Sequence, residues 1–324
     1  MLLIATNKED LTSDYLILRL EEQKIPFYRI NTEDYLEKYD IDIKVNNGND
    51  YAIIYDSNGR EVNSDTIRGV YIRQPVMPKT NAKINSSHAS FAIRESIETL
   101  RSLWRIIDES LWLNHPKYLL AANNKIEQLS IASELGFLIP PTLVSTREAT
   151  ILNFIKTNYN DVIAKSVKHG FYVKEDKVQI AFTKKVNSDF CQNIETYSKI
   201  PMIYQRRIDK LYDIRVTIVG KHIYSAAIHS QQYKESEIDW RAGDVEKGIE
   251  LDYSVIQLPQ NIENLCFSIT RKFGLNYSAI DLIYTPDLKY YFLEMNSNGQ
   301  WAWLEEKLRF PIRDSIIDYY GELS

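Results

Sequence analysis

Ala279-Ile280-Asp281-Leu282-Ile283 and Phe292-Leu293-Glu294-Met295-Asn296 are two apolar runs on either side of the turn-forming pair Pro286-Asp287, each with a carboxylate inside it. The β-branched and aromatic content of residues 278–284 and 290–295 predicts a β-hairpin. Side chains alternate along a strand, so Glu294 and Asn296 share a face. A turn centred between Asp287 and Leu288 sets Asp281 opposite Glu294. Carboxylates are rarely buried without a partner. Two acids and an amide in such a hairpin therefore serve in ion pairs and a turn, or they hold a hard cation. Mg2+ takes carboxylate, amide and phosphate oxygens, so the pattern suits a metal set against phosphate.

The chain before this hairpin carries cations in unusual places. Lys165 lies mid-strand in Val162-Ile163-Ala164-Lys165-Ser166-Val167, where a charge needs an anion or an edge facing water. The polar turn Lys168-His169-Gly170 follows, with Gly170 permitting close approach of the backbone. Lys125 opens an expected helix at 125–135, where it meets either a phosphate or solvent. The stretch from Tyr204 to Arg215 passes from an apolar strand through the charged residues Arg206, Arg207, Asp209 and Lys210 into a second strand. A connector between modules is a natural crevice, unless it is only a solvated linker with weak surface ion pairs. Its backbone is able to read an adenine edge, Asp213 to accept ribose hydroxyls, and Arg215 to hold a phosphate or carboxylate with two N–H groups. Arg73 and Arg241 stand beside aromatics, where stacking is the ordinary role. Trp301 and Trp303 form either core or the wall of a ligand site.

Composition narrows the classes. At 324 residues, with 44% hydrophobic and 26% charged residues, the chain has globular averages and room for two or three units. A net charge of −5 argues against a general nucleic-acid or anionic-membrane binder. The two cysteines, Cys191 and Cys266, have no second thiol or histidine at short spacing, which argues against a disulfide framework or thiolate zinc site. With no apolar run of membrane-spanning length and no signal-like N-terminus, the expectation is a soluble cytoplasmic protein. None of the 11 glycines are two or four apart, so GxGxxG and GxSxG are both missing. The five-spaced pair Gly243 and Gly248 precedes Ile249 where a P-loop needs lysine. A nucleotide here would be held by side chains.

Patterning divides the chain into an N-terminal α/β unit at 1–115, a central α+β layer at 116–201 and a C-terminal unit at 202–324. The first has expected strands at 2–5, 27–30 and 69–72 and helices at 15–23 and 91–111. Asn114-His115-Pro116 marks the first boundary and Pro201 the second. Gly136 is the expected C-cap of the helix at 125–135.

Taken in order, Lys125, Lys165, Gln205 to Ile208, Asp213-Ile214-Arg215, Asp281 and Glu294-Met295-Asn296 resemble the ATP-grasp superfamily. Phe27-Tyr28-Arg29-Ile30-Asn31-Thr32-Glu33, Lys125-Ile126-Glu127-Gln128-Leu129, Gly136-Phe137-Leu138-Ile139-Pro140, Asp239-Trp240-Arg241 and Glu294 to Trp301 resemble, more narrowly, its microviridin-type or graspetide ring-forming ligases. The resemblance spans almost the whole chain. It implies an ATP-grasp fold with an N-terminal α/β domain, a central lid and a C-terminal domain, and ATP between the last two. It implies Lys125 and Lys165 as phosphate ligands and Gln205, Arg206, Arg207 and Ile208 as the adenine hinge. Asp213 falls at the ribose, with Asp209 or Lys210 as alternatives. Asp281, Glu294 and Asn296 would carry Mg2+, and Arg215 and Arg241 would flank the transferring phosphate and acyl group. Arg73 and Trp301 are candidates for contact with a substrate peptide.

The implied activity is ATP-dependent ring closure in a precursor peptide with leader and core, joining an Asp or Glu side chain to Lys, Thr or Ser. A homodimer is implied as well. RimK-like addition of free amino acids, or a nucleotide-binding module without turnover, are the alternatives.

Overall fold

The computed structural model describes residues 1–81, 83–168, 170–174, 177–180, 182–242 and 248–322. His169 and Gly243, both singled out above, lie outside them.

Leu2–Thr6 is a run with no polar side chain before its last residue, buried throughout, and it forms the middle of a parallel sheet between Phe27–Asn31 and Gly69–Ile72. Burial on both faces is what a continuous apolar strand requires. Helix Leu11–Glu22 covers one face. Helix Ala89–Ile106 and a three-stranded antiparallel sheet (Tyr39–Lys44, Tyr51–Asp56, Glu61–Asn63) enclose a second core around Leu3, Ile54 and Trp112.

The C-terminal unit is a five-stranded antiparallel sheet in the order Tyr253–Val255, His222–Ile228, Tyr212–Val219, Tyr277–Tyr284, Tyr290–Asn296. One face carries Ile214, Val216, Ile280, Leu282, Phe292 and Met295, and helices Gln260–Lys272 and Lys125–Leu135 pack on it. Gly136 caps the second helix in the left-handed region at φ 103°, the conformation for which glycine is favoured. The far end of the sheet shares a core with the N-terminal unit. There Leu2, Leu16 and Leu20 meet Trp301, Ile312 and Ile316.

Between these lies the lid, a sheet in the order Lys184–Lys185, Val162–Ser166, Met202–Arg206, Thr142–Ser145, packed against helix Glu148–Thr157 through Ile151, Ile155 and Tyr204. A separate hairpin joins Phe171–Lys174 to Lys177–Ile180.

Two expected boundaries move. Met202–Arg206, expected to open the third unit, is hydrogen-bonded between two lid strands, and the passage to the C-terminal sheet falls at residues 207–211. Helix Lys125–Leu135, expected in the central layer, buries Leu129 and Ala132 in the C-terminal core. Both shifts arise because pairing and packing partners are distant in sequence. No described helix is long and apolar enough to cross a membrane.

Candidate active site

The expected hairpin register is present, and a β-bulge produces it. Tyr284 pairs with Tyr290 and Leu282 with Phe292, so an unbroken ladder would set Asp281 opposite Leu293. The irregularity between Asp281 and Leu282 brings Glu294 there instead. The extra residue lets Phe292 and Met295 both face the core while Glu294 lines the opposite side. Arg215 pairs with Asp281 on the next strand, so Arg215, Asp281 and Glu294 form one row across three strands. Arg215 Nη1 donates to Asp281 Oδ1 at 2.8 Å, and both side chains are buried. Among the described residues, Arg215 Nε and Asp281 Oδ2 are buried without a hydrogen-bond partner. Such orphaned atoms at a cavity point to an absent ligand.

Glu294 collects cations from three directions. Lys125 Nζ lies 3.0 Å from its Oε2, and both Arg241 Nη atoms donate to Oε1 at 3.4 Å. Burial opposes ionisation of Glu294, yet Lys125, Arg241 and Lys165 outweigh it and hold the carboxyl below the usual range. Lys125 is placed by its helix, whose N-cap Asn124 accepts the Ile126 and Glu127 N–H groups. Arg241 is braced by Asp239 at 3.1 Å.

Lys165 comes from the lid strand Val162–Ser166. Burial pushes its ammonium down to about 8, with Glu294 and Asp239 opposing the shift and Lys125 and Arg241 adding to it. Three cations face two carboxylates here, an excess that an anion would neutralise.

A cavity of about 380 Å³ runs between lid and sheet, lined by Ile163, Lys165 and Gln205 on one side and Asp213, Asp281 and Glu294 on the other. Lys165, Ile163 and Gln205 share a lid face, since Gln205 pairs with Ile163 two residues from Lys165. Gln205 Nε2 donates to Thr142 Oγ1 at 2.8 Å, while its buried Oε1 has no partner among the described residues. In the connector, the Arg206 and Arg207 N–H groups donate to Pro141 and Asp161 carbonyls. Among the described residues no partner is found for Ile208 N–H. The Arg206 side chain is exposed against the Tyr159 ring, and Arg207 pairs with Asp161 and Asp209. Asp213 is buried between Lys210 (2.7 Å) and Ser230; burial raises its carboxyl and Lys210 opposes that.

A second cavity of about 470 Å³ adjoins the first and shares Lys125, Arg241 and Glu294 with it, adding Arg215, Asn296 and Trp303.

Two candidates do not face these cavities as expected. Trp301 is fully buried; its indole N–H donates to Tyr71 Oη at 3.0 Å and its ring packs near Tyr15, so Trp303 takes the place of the aromatic wall. Arg73 is 1% exposed and bound to Asp10, out of a peptide's reach. Gln128, part of the Lys125 to Leu129 motif, has a role that the sequence reading did not assign. From its helix it donates to Met295 O at 2.7 Å and accepts Met295 N–H at 2.8 Å, anchoring the edge strand that carries Glu294. Its place in that motif and a glutamine among the apolar residues of a buried helix face were its visible signals.

Asp281, Glu294 and Asn296 supply the oxygen donors that Mg2+ prefers, and the orphaned Asp281 Oδ2 leaves one free. Among the described residues no cluster of three or more acids, histidines or cysteines makes a metal cage by itself.

Residues 122–320 match the family model described as RimK-like ATP-grasp domain. The chain belongs to the RimK-like ATP-grasp family. Residues 1–119 match the MvdD pre-ATP grasp domain. Among solved structures, this ATP-grasp chain is similar to a Chryseobacterium gregarium RiPP-associated ATP-grasp ligase in complex with ADP and a leader and core peptide. The two share 26% identity at a TM-score of 0.89, over 100% of this chain and 97% of that one. It is likewise similar to the macrocyclase MdnC of Microcystis aeruginosa MRC, bound with precursor peptide MdnA, at 28% identity and a TM-score of 0.85, with both chains fully covered. MdnB of the same organism, at 23% identity and a TM-score of 0.79 over 98% of each chain, shares the fold. No curated protein sequence matches the chain.

Proposed function

We propose that this ATP-grasp enzyme closes side-chain lactone or lactam rings in a ribosomally made precursor peptide. The observation that carries the reading is the meeting of two cavities at Glu294, Arg241 and Lys125, one suited to a nucleotide and one to the group it activates. A carboxylate is a poor electrophile until one oxygen becomes part of a leaving group. Transfer of the ATP γ-phosphoryl to an Asp or Glu side chain forms an acyl phosphate and ADP. Attack by a Thr, Ser or Lys side chain then forms the ester or amide, releasing phosphate and the nucleophile's proton.

Lys165 and Lys125 bind phosphate oxygens, relieving the excess positive charge described above. Gln205 and the connector to Ile208 hold the base, and Asp213 the ribose. Arg206 and Arg207 act there through their backbone. Asp281, Glu294 and Asn296 would hold Mg2+, which supplies charge neutralisation at the transferring phosphoryl group when bound. Arg215 and Arg241 stabilise charge developing on the phosphoryl and acyl oxygens. A reaction fed by ATP belongs to the cytoplasm, the compartment we assign.

The test is the intact mass of a synthetic peptide, with the sequence encoded beside this gene, after incubation with enzyme, ATP and Mg2+. Loss of one water per bond, dependent on ATP, is expected. A gain of amino-acid mass from added free amino acids would favour RimK-like ligation. ATP binding without any mass change or ADP release would favour a binding module.

A further inference from the structure

Gly299 has no room for a side chain. A Cβ built on it would lie 2.3 Å from Ala279 Cβ and 2.9 Å from Arg215 Nη2. Its backbone is therefore packed directly against the Arg215 guanidinium. The same segment is held from the other side by the N-terminal unit. Arg73 Nη1 donates to Asn298 O at 2.8 Å and to Gly299 O at 3.2 Å, and the Tyr277 hydroxyl donates to Gly299 O at 2.6 Å. Arg73 is oriented in turn by Asp10, whose Oδ1 accepts its Nε at 3.1 Å. Asp10 Oδ2 accepts from Thr6 at 2.8 Å and also from Ser13. The Arg73 and Asp10 side chains are 1% and 2% exposed. Arg73 thus commits Nε to Asp10 and Nη1 to the two carbonyls, while its Nη2 is buried with no hydrogen-bond partner among the described residues.

We propose that Arg73 is a positioning residue for the ligase reaction: through the Asn298 and Gly299 carbonyls it sets where Arg215 rests in the second cavity. The inference rests on the role given to Arg215 above. A planar guanidinium reaches both carbonyls and Asp10 together, whereas lysine offers a single point of charge. Displacing a reacting group by about 1 Å costs up to ~10²-fold in rate.

The test compares wild type, Arg73→Lys, Arg215→Ala and the double variant with the same synthetic peptide and Mg-ATP. The readouts are kcat, KM for ATP and melting temperature. Arg73→Lys is expected to lower kcat at least ~10-fold with KM for ATP within about twofold. Added to Arg215→Ala it is expected to cost less than about twofold more, because the contact through which it acts is gone. An unchanged kcat, or a loss as large in the Arg215→Ala background as in wild type, overturns the proposal.

If Arg73→Lys does not fold, Ala279→Gly/Gly299→Ala is compared with Ala279→Gly alone. That background removes one of the two clashes and leaves the new methyl against Arg215. The same kcat loss at steady KM is expected, and equal rates overturn the proposal. A wild-type enzyme that releases no ADP and closes no ring breaks the functional reading instead.

Discussion

Arg215, Asp281 and Glu294 reach the cleft from one cross-strand row of the C-terminal sheet, whereas Lys165 and Gln205 reach it from the lid, a separate sheet joined to it by residues 207–211. On the C-terminal wall hydrogen-bonded register and a bulge set the geometry, and each side chain has a counter-charge within the protein. On the lid wall Lys165 has no ion pair within 4 Å among the described residues, and burial lowers its affinity for a proton. One wall has its charges paired before substrate arrives, with Arg215 Nε and Asp281 Oδ2 still lacking hydrogen-bond partners among the described residues. The other stores an electrostatic deficit that a phosphate removes. Precise positioning is thus built into strand pairing, and the drive to bind anions into the unpaired lid lysine.

This contrast ranks the expected effects of substitution. Glu294→Gln removes the charge that Lys125 and Arg241 share and leaves only a neutral amide oxygen toward Mg2+, and should lower the initial rate of peptide-dependent ADP release by at least ~10³-fold. Activity near wild type would mean that the sheet wall does not hold the metal. Arg215→Lys keeps the charge but loses the planar fork, with an expected fall in kcat of about 10²-fold at nearly constant KM for ATP.

The lid lysine gives a pH signature. The folded-state value of Lys165, about 8, lies below its ordinary 10.5, so charging it in the free protein opposes folding below about pH 8. Between about 8 and 10.5 the unfolded chain binds more protons, and this group's contribution to stability rises with pH. Nucleotide binding has the opposite sign, because phosphate favours the ammonium. Calorimetric ATP affinity should therefore weaken as pH rises through about 8, and Lys165→Met should flatten that dependence. An unchanged slope in the variant would remove Lys165 from the phosphate site. Arg206→Ala should have the smallest effect, within about threefold in KM for ATP and about 0.5 kcal/mol in stability, because its side chain is exposed.

Period and composition carried much of the fold. The all-apolar strand at the N-terminus, the helix closed by Gly136 and the hairpin around Pro286-Asp287 are local patterns, and local patterns survive in a linear reading. Lys165, Asp281 and Glu294 stood out because a charge in an apolar run needs a reason, and Lys125 because it opens a helix. Arg73 stood out as an arginine beside aromatics and Trp301 as one of two neighbouring tryptophans, and the structure buries both away from the cavities. A buried arginine satisfied by Asp10 and a buried tryptophan satisfied by Tyr71 look, in one dimension, the same as residues waiting for a ligand. Gln128 was given no role because its partner, Met295, is 167 positions away.

The order of residue types along the chain was enough to specify strands, caps, the hairpin and the chemistry the acids and lysines are able to perform. Those properties depend on side-chain periodicity and on the cost of burying charge, both written locally. Folding in three dimensions decided that Met202–Arg206 joins the lid, that a bulge delivers Glu294 to Asp281, and that Arg73 supports the active site from behind. Each depends on contacts between distant segments, whose geometry follows from packing and hydrogen-bond satisfaction across the whole molecule.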